Sequence, residues 1–172
     1  MKRLLITFCL LLACSEAYAY DLSLKDTPVS VYFSPKGGGQ QAIVDALGQA
    51  KESVYVQAYS FTSAPIAKAL VDAAKRGVKV EAILDKSQRK ATYTGATFLR
   101  NEGIPVYIDA THAIAHNKVM VIDGQTVVTG SFNFTKAAEE KNAENLLVIK
   151  DKGLARLYME NWERHQGHSE GY

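Results

Sequence analysis

Cysteine is almost absent from this chain. Of its 172 residues only Cys9 and Cys14 are thiols, so neither a disulfide framework nor a cysteine-rich zinc site is available beyond the first fourteen positions. The N-terminal apolar run, Leu4–Ala13, ends well short of the ~20 residues that a membrane-spanning helix needs. No sign of charge predominates: 20 Lys and Arg against 18 Asp and Glu give +2, which excludes a polycationic arm as the means of holding nucleic acid. No linker or low-complexity segment divides the sequence. What remains is 47% hydrophobic and 22% charged, an ordinary globular composition in a length that suits one domain.

The first residues stand apart from that domain. Lys2-Arg3, the apolar run and Ala17-Tyr18-Ala19 form the three parts of a secretory signal peptide. Cleavage after Ala19 divides the chain into a leader, 1–19, and a mature domain, 20–172, that is periplasmic or secreted. Both cysteines leave with the leader, and a thiol-free product suits an oxidising compartment. Lys2, Arg3 and Glu16 leave too, so the mature balance is 18 basic against 17 acidic residues, or +1. A competing reading takes Leu11-Leu12-Ala13-Cys14 as a lipobox with Cys14 lipidated. Leucine directly before the alanine fits that poorly, and a soluble product is expected.

Hydrophobic periodicity then alternates between two and about 3.6. Val29–Phe33 reads as a strand, Pro35–Gly39 as a loop, and Gln41–Lys51 as a helix with Ile43, Val44, Leu47 and Ala50 on one face. Val54–Tyr59 is a strand, Pro65–Arg76 a helix started by proline and stopped by Gly77, and Val78–Leu84 a strand. A helix over Thr92–Asn101 precedes a strand at Ile104–Ile108, and a final helix, about Gly153–His165, carries Leu154, Leu157, Tyr158 and Trp162 at core-packing spacing. Such alternation predicts an α/β fold with a sheet between helices on both faces. Lys118–Ile122 and Thr126–Thr129, joined at Asp123-Gly124, form a hairpin, so the sheet is mixed.

That hairpin carries the chemistry. His116 and Lys118, two residues apart on extended backbone, project from one side, and Asp123 closes the turn. A neutral imidazole can attack phosphorus while an ammonium neutralises the non-bridging oxygens. The second strand delivers Gly130-Ser131-Phe132-Asn133, whose hydroxyl and amide groups suit phosphate. Glu144, ahead of the strand Asn145–Ile149, is placed to accept the far N–H of an imidazole. For Glu144 and Asp123 a capping or salt-bridged carboxylate competes with a reactive one, and Asp123 is expected to hold the turn or a cation.

The spacing H-x-K-x4-D followed by G-S-x-N, here His116, Lys118, Asp123, Gly130, Ser131 and Asn133, resembles the signature of the phospholipase D superfamily. The short chain, single motif and leader resemble the small exported endonucleases within it. The resemblance implies a phospholipase D-like fold and phosphodiester cleavage through a phosphohistidine, with no cofactor. Family members use two facing H-x-K motifs, one histidine as nucleophile and the other protonating the leaving oxygen. This chain has one, so the resemblance implies a homodimer with one composite site. His116 is then nucleophile or general acid according to the subunit, Lys118 binds phosphate with Asn133 and Ser131, and Glu144 orients His116.

Other readings are less well supplied. Gly37-Gly38-Gly39 lacks the lysine and hydroxyl residue of a P-loop and reads as a turn. His112 and His116 do not converge on extended backbone, and His165 and His168 fall in a polar tail, so no metal is expected. The cluster Lys86–Lys90 is either a solvated loop or a nucleic-acid contact, and its place after a strand end favours the latter. Groups that touch only phosphate carry no base information, which points to non-specific cleavage of DNA, single- or double-stranded. No stable membrane association is expected. Phospholipid headgroup hydrolysis is the alternative activity, and a non-catalytic nucleic-acid-binding protein the alternative class.

Overall fold

Val/Ile-rich segments separated by amphipathic ones fold into a single sheet with helices on its two faces. The computed structural model describes residues 19–89 and 95–172; the leader up to residue 18, Lys90 and the expected helix start near Thr92 lie outside them. The strands are β1 (Val29–Ser34), β2 (Ser53–Ala58), β3 (Lys79–Asp85), β4 (Val106–Asp109), β5 (Lys118–Ile122), β6 (Thr126–Gly130), β7 (Glu144–Lys150) and β8 (Glu170–Gly171). Their spatial order is β1-β7-β6-β5-β2-β3-β4-β8, with β2, β3 and β4 parallel and every other pairing antiparallel. The sheet is therefore mixed, as the hairpin requires.

The helices are α1 (Gly39–Gln49), α2 (Ala64–Lys75), α3 (Gly95–Asn101), α4 (Lys136–Glu140) and α5 (Lys152–His168). Ser63 caps α2, accepting from the Ile66 N–H, with Pro65 in the first turn where its missing donor costs nothing. Ile43 and Leu47 of α1, Ile66 and Leu70 of α2 and Leu99 of α3 pack with Val54, Val56, Met120 and Ile122 on one face of the sheet. On the other face Val119, Val121 and Val127 meet Ala155, Leu154, Tyr158 and Met159 of α5. The period-two alternation of β5 thus divides its residues between two cores. Trp162 closes the second face, donating its indole N–H to the Val56 carbonyl at 3.1 Å.

Three short elements escaped the periodicity: α4, β8 and a 3₁₀ turn at Lys86–Arg89. Helix α5 also runs three residues past its expected end at His165, which moves His168 out of a tail and onto a helix. At Gly37-Gly38-Gly39 the α1 N-terminus receives Glu139, whose carboxylate accepts from the N–H groups of Gly38 (3.2 Å) and Gln40 (2.8 Å). A protein carboxylate holds the position a phosphate would need. The segment is a turn.

Candidate active site

The carboxyl ends of β2, β3 and β4 and the amino end of β5 meet at one side of the sheet, where open α/β sheets accept ligands. Ala58 pairs with Lys118, so Tyr59 follows β2 directly across from Asn117 and donates its N–H to the Asn117 carbonyl at 2.8 Å. The loop from β4 to β5 carries His116 to this edge. It is held by Asp85 at the end of β3, whose carboxylate accepts the Ala115 N–H at 2.8 Å.

His116 is exposed, while Lys118 is 6% exposed. The Tyr59 ring lies against both, with its centroid 4.7 Å from the imidazole and 5.2 Å from the Lys118 Nζ. Lys118 donates to the His116 carbonyl at 2.6 Å and forms no ion pair among the described residues. Burial lowers its pKa below the ordinary lysine value, and the field of Glu144 only partly opposes this. A desolvated cation with spare donors next to an exposed imidazole is a ready partner for an anion. Tyr59 was not among the expected site residues; only the β2–β5 register reveals it.

The second half of the signature lies at the end of β6. Gly130 has φ +148, and a Cβ there would meet the Asn145 carbonyl oxygen at 2.2 Å, so the position requires glycine. Ser131 donates its Oγ–H to Glu144 at 2.6 Å and accepts the Asn145 N–H at 3.0 Å. Asn133 presents a buried Oδ1 with no hydrogen-bond partner, an amide that the fold leaves uncommitted.

One expected role changes, that of Glu144, while Asp123 takes the turn-holding role expected of it. Glu144 makes no hydrogen bond to His116; its oxygens take Ser131, which the β6–β7 pairing sets alongside, and, at 3.0 Å, the amide of Asn142 two residues ahead of it. Asp123 stands at the opposite end of β5, five residues or roughly 17 Å from Lys118 at ~3.3 Å per residue. With φ +52 it begins the hairpin turn, and its carboxylate accepts from the N–H groups of Lys51 (3.0 Å), Glu52 (2.8 Å) and Ser53 (3.0 Å). Burial alone would raise its pKa, but these donors hold it below the usual carboxylate range. Asp123 staples the hairpin to the α1–β2 junction.

A groove of about 500 Å³ beside Tyr59 is lined by Asp85, Lys86, Ser87, Arg89, Ala110, Ala113 and Ile114. Its basic groups are partly engaged. Lys86 donates to the His112 carbonyl (2.9 Å), and Arg89 pairs with Glu170 (2.7 Å). A larger groove of about 800 Å³ lies around Asp123 at the far end and includes none of the other signature residues.

The expectation of no metal rested on separated histidines, and that premise is corrected. Asp109, His112, His165 and His168 present ligand atoms that all lie within 4.8 Å of one another, because α5 docks its last turns against the end of β4.

The fold and these groups define an enzyme that hydrolyses phosphodiester bonds. A family model described as cardiolipin synthase, PLD-like domain, matches residues 43–166. The chain belongs to the phospholipase D superfamily. It is similar to phospholipase D of Rickettsia conorii, 43% identical over 154 residues that make up 89% of this chain and 77% of that protein. It is similar also to the crystal structure of Nuc, a phospholipase D family member from Salmonella typhimurium, with TM-score 0.81 and 40% identity over 86% of this chain and 99% of that one. NucT from Helicobacter pylori superposes with TM-score 0.80 at 26% identity, over 86% of this chain and all of that one (100%).

Proposed function

We propose that this phosphodiesterase is a non-specific endonuclease acting on DNA, exported to the periplasm or medium as residues 20–172. The observation that carries the reading is an exposed His116 beside a buried Lys118 that has no ion pair among the described residues, in a chain with one such H-x-K pair. A second histidine comes from a second copy of the chain, so the working unit is a homodimer with a shared site. His116 of one copy attacks phosphorus, a P–N bond forms, and the P–O bond to the leaving strand breaks as His116 of the other copy gives that oxygen its proton. Water then attacks phosphorus, the P–N bond breaks, and the second imidazole takes the proton from water. Lys118, Asn133 and Ser131 hold the non-bridging oxygens through both steps.

Nothing in this sequence of steps uses a metal. The groups that meet the substrate address phosphate, which supports cleavage without base preference. The name of the Rickettsia relative favours one second reading, hydrolysis of a phospholipid headgroup by the same groups. No helix among the described residues is long and apolar enough to cross a membrane.

The test is plasmid cleavage by the purified mature chain in excess EDTA, with His116→Ala alongside and phosphatidylcholine vesicles as the second substrate. Cleavage of DNA by wild type alone supports the reading. Activity only after a divalent ion is restored overturns the metal-free chemistry, and turnover of vesicles without DNA transfers the site to lipid. Intact mass of the exported protein reports the leader: loss of 1–19 is expected, and a lipid on Cys14 refutes it.

A further inference from the structure

Asp109 ends β4 fully buried, at 0% exposure, and its ion-pair partners are His112, His165 and His168. Its Oδ1 accepts from the backbone N–H groups of Thr111 (3.1 Å) and His112 (3.4 Å), which orients the carboxylate. Its Oδ2 faces three imidazoles: His165 Nδ1 at 2.8 Å, His112 Nδ1 at 2.9 Å and His168 Nε2 at 3.3 Å. The rings crowd together with centroids 4.8 to 5.2 Å apart. Four ligand atoms, three imidazole nitrogens and one carboxylate oxygen, thus lie within 4.8 Å of one another.

We propose that Asp109, His112, His165 and His168 bind one transition-metal dication of the zinc type, clamping the C-terminal helix to the loop that leads into His116. Donors about 2.0–2.1 Å from a tetrahedral zinc lie about 3.3 Å from one another. The contacts to Asp109 Oδ2 are already of that size, and the remaining separations stay under 4.8 Å. Three nitrogens and one oxygen suit zinc, cobalt or nickel, whereas calcium and magnesium take oxygen sets. His165 and His168, three apart on α5, share a face as a chelating pair, and Asp109 and His112 form a second pair from the loop. The side chains of His112 and His168 are 45% and 34% exposed, giving an ion a way in.

Four protein ligands close the coordination shell, the arrangement of a structural rather than a catalytic metal. The clamp acts on stability. It fixes His112, whose carbonyl Lys86 holds from the other side, four residues before His116. The signature residues Lys118, Ser131 and Asn133 contribute nothing to it.

The experiment uses the untagged mature protein, loaded with zinc sulfate, desalted and measured for metal content, with thermal melts alongside. One zinc per chain is expected in wild type and in His116→Ala, and none in the His165→Gln/His168→Gln double variant. Saturating zinc at about a hundred times its Kd should raise the wild-type Tm by about 5–10 °C over the chelated protein and leave the double variant unmoved. Cobalt should give the visible absorption of a tetrahedral site in wild type and His116→Ala and none in the double variant. If the double variant fails to fold, His168→Gln alone serves, and a weakened affinity is then required.

Wild type without stoichiometric metal, or a double variant that binds as wild type does, overturns the site. Zinc lost from His116→Ala places the ion elsewhere and overturns it too. A folded, zinc-free wild type that no longer cleaves DNA refutes the clamp, because the ion would then serve chemistry. DNA cleavage by that same zinc-free protein supports both the clamp and the metal-free mechanism.

Discussion

Asp123 offers the sharpest separation of structure from chemistry, since the signature includes it and the geometry removes it from the site. Asp123→Ala deletes an acceptor of three backbone N–H groups, from Lys51, Glu52 and Ser53. A charge-assisted hydrogen bond contributes about 1.5–3 kcal/mol when buried; at this partly exposed turn, where water replaces it, about 0.5–1 kcal/mol each is appropriate, or about 2 kcal/mol together. Alanine at φ +52 adds about 1 kcal/mol of left-handed strain that aspartate and asparagine tolerate better. A total near 3 kcal/mol lowers Tm by roughly 6–12 °C in a domain of this size. Asp123→Asn keeps the conformation and one acceptor, so its loss should be about half as large.

The charge has its own signature in pH. Because the folded carboxyl titrates below its unfolded value, its contribution is complete above about pH 3.9 and disappears as pH falls through the lower folded pKa. The gap between wild type and Asp123→Asn should therefore close in acid. Thermal melts followed by circular dichroism from pH 2 to 7 read this, with plasmid cleavage at 25 °C measured on the same samples. Cleavage should stay within threefold of wild type for both variants. An Asp123→Asn protein with wild-type Tm and cleavage reduced more than a hundredfold would refute the assignment.

Three further outcomes follow from the site. Lys118→Met removes a buried cation whose folded pKa is depressed, so its destabilising effect is complete below that pKa and fades as pH rises toward ~10.4; the variant should match or exceed wild-type Tm at pH 7 while losing at least a hundredfold in cleavage, and a large fall in Tm would contradict this. Gly130→Ala drives a Cβ into the Asn145 carbonyl and should cost about 2–3 kcal/mol, with activity lost together with stability in denaturant melts. Ser131→Ala frees Glu144 and the Asn145 N–H and should lower kcat about tenfold to a hundredfold at a stability cost near 1 kcal/mol, whereas a KM effect alone would indicate a weaker role.

The long elements were legible because each one's periodicity matches its burial. β5 alternates between two cores, and α2 announces itself with Pro65 and ends before Gly77. Elements of two to five residues, β8 and α4, carry too few positions for a period to show. Helix α5 continues through Gly167 because Ser169, bonded through its Oγ to the His165 carbonyl at 2.7 Å, secures its final turn. The signature residues of the site were readable as neighbours on one hairpin. The partner of Glu144, the place of Tyr59 and the convergence of His112 with His165 and His168 depend on strand register and on helix docking across more than fifty residues, which no local pattern encodes.

Tyr59 also determines how heat damages this enzyme. The ring that meets His116 and the Lys118 ammonium directly follows β2, an interior strand flanked on both sides and packed into both cores, and does not sit on the surface loop that bears the histidine. Its backbone is tied to Asn117 as a continuation of the sheet ladder. Fraying of the loop therefore leaves the backing of His116 in place, and that backing dissolves only when the central ladder does. A loop loosened by mild heating keeps its docking surface to return to, and activity lost that way should come back on cooling until the core itself melts.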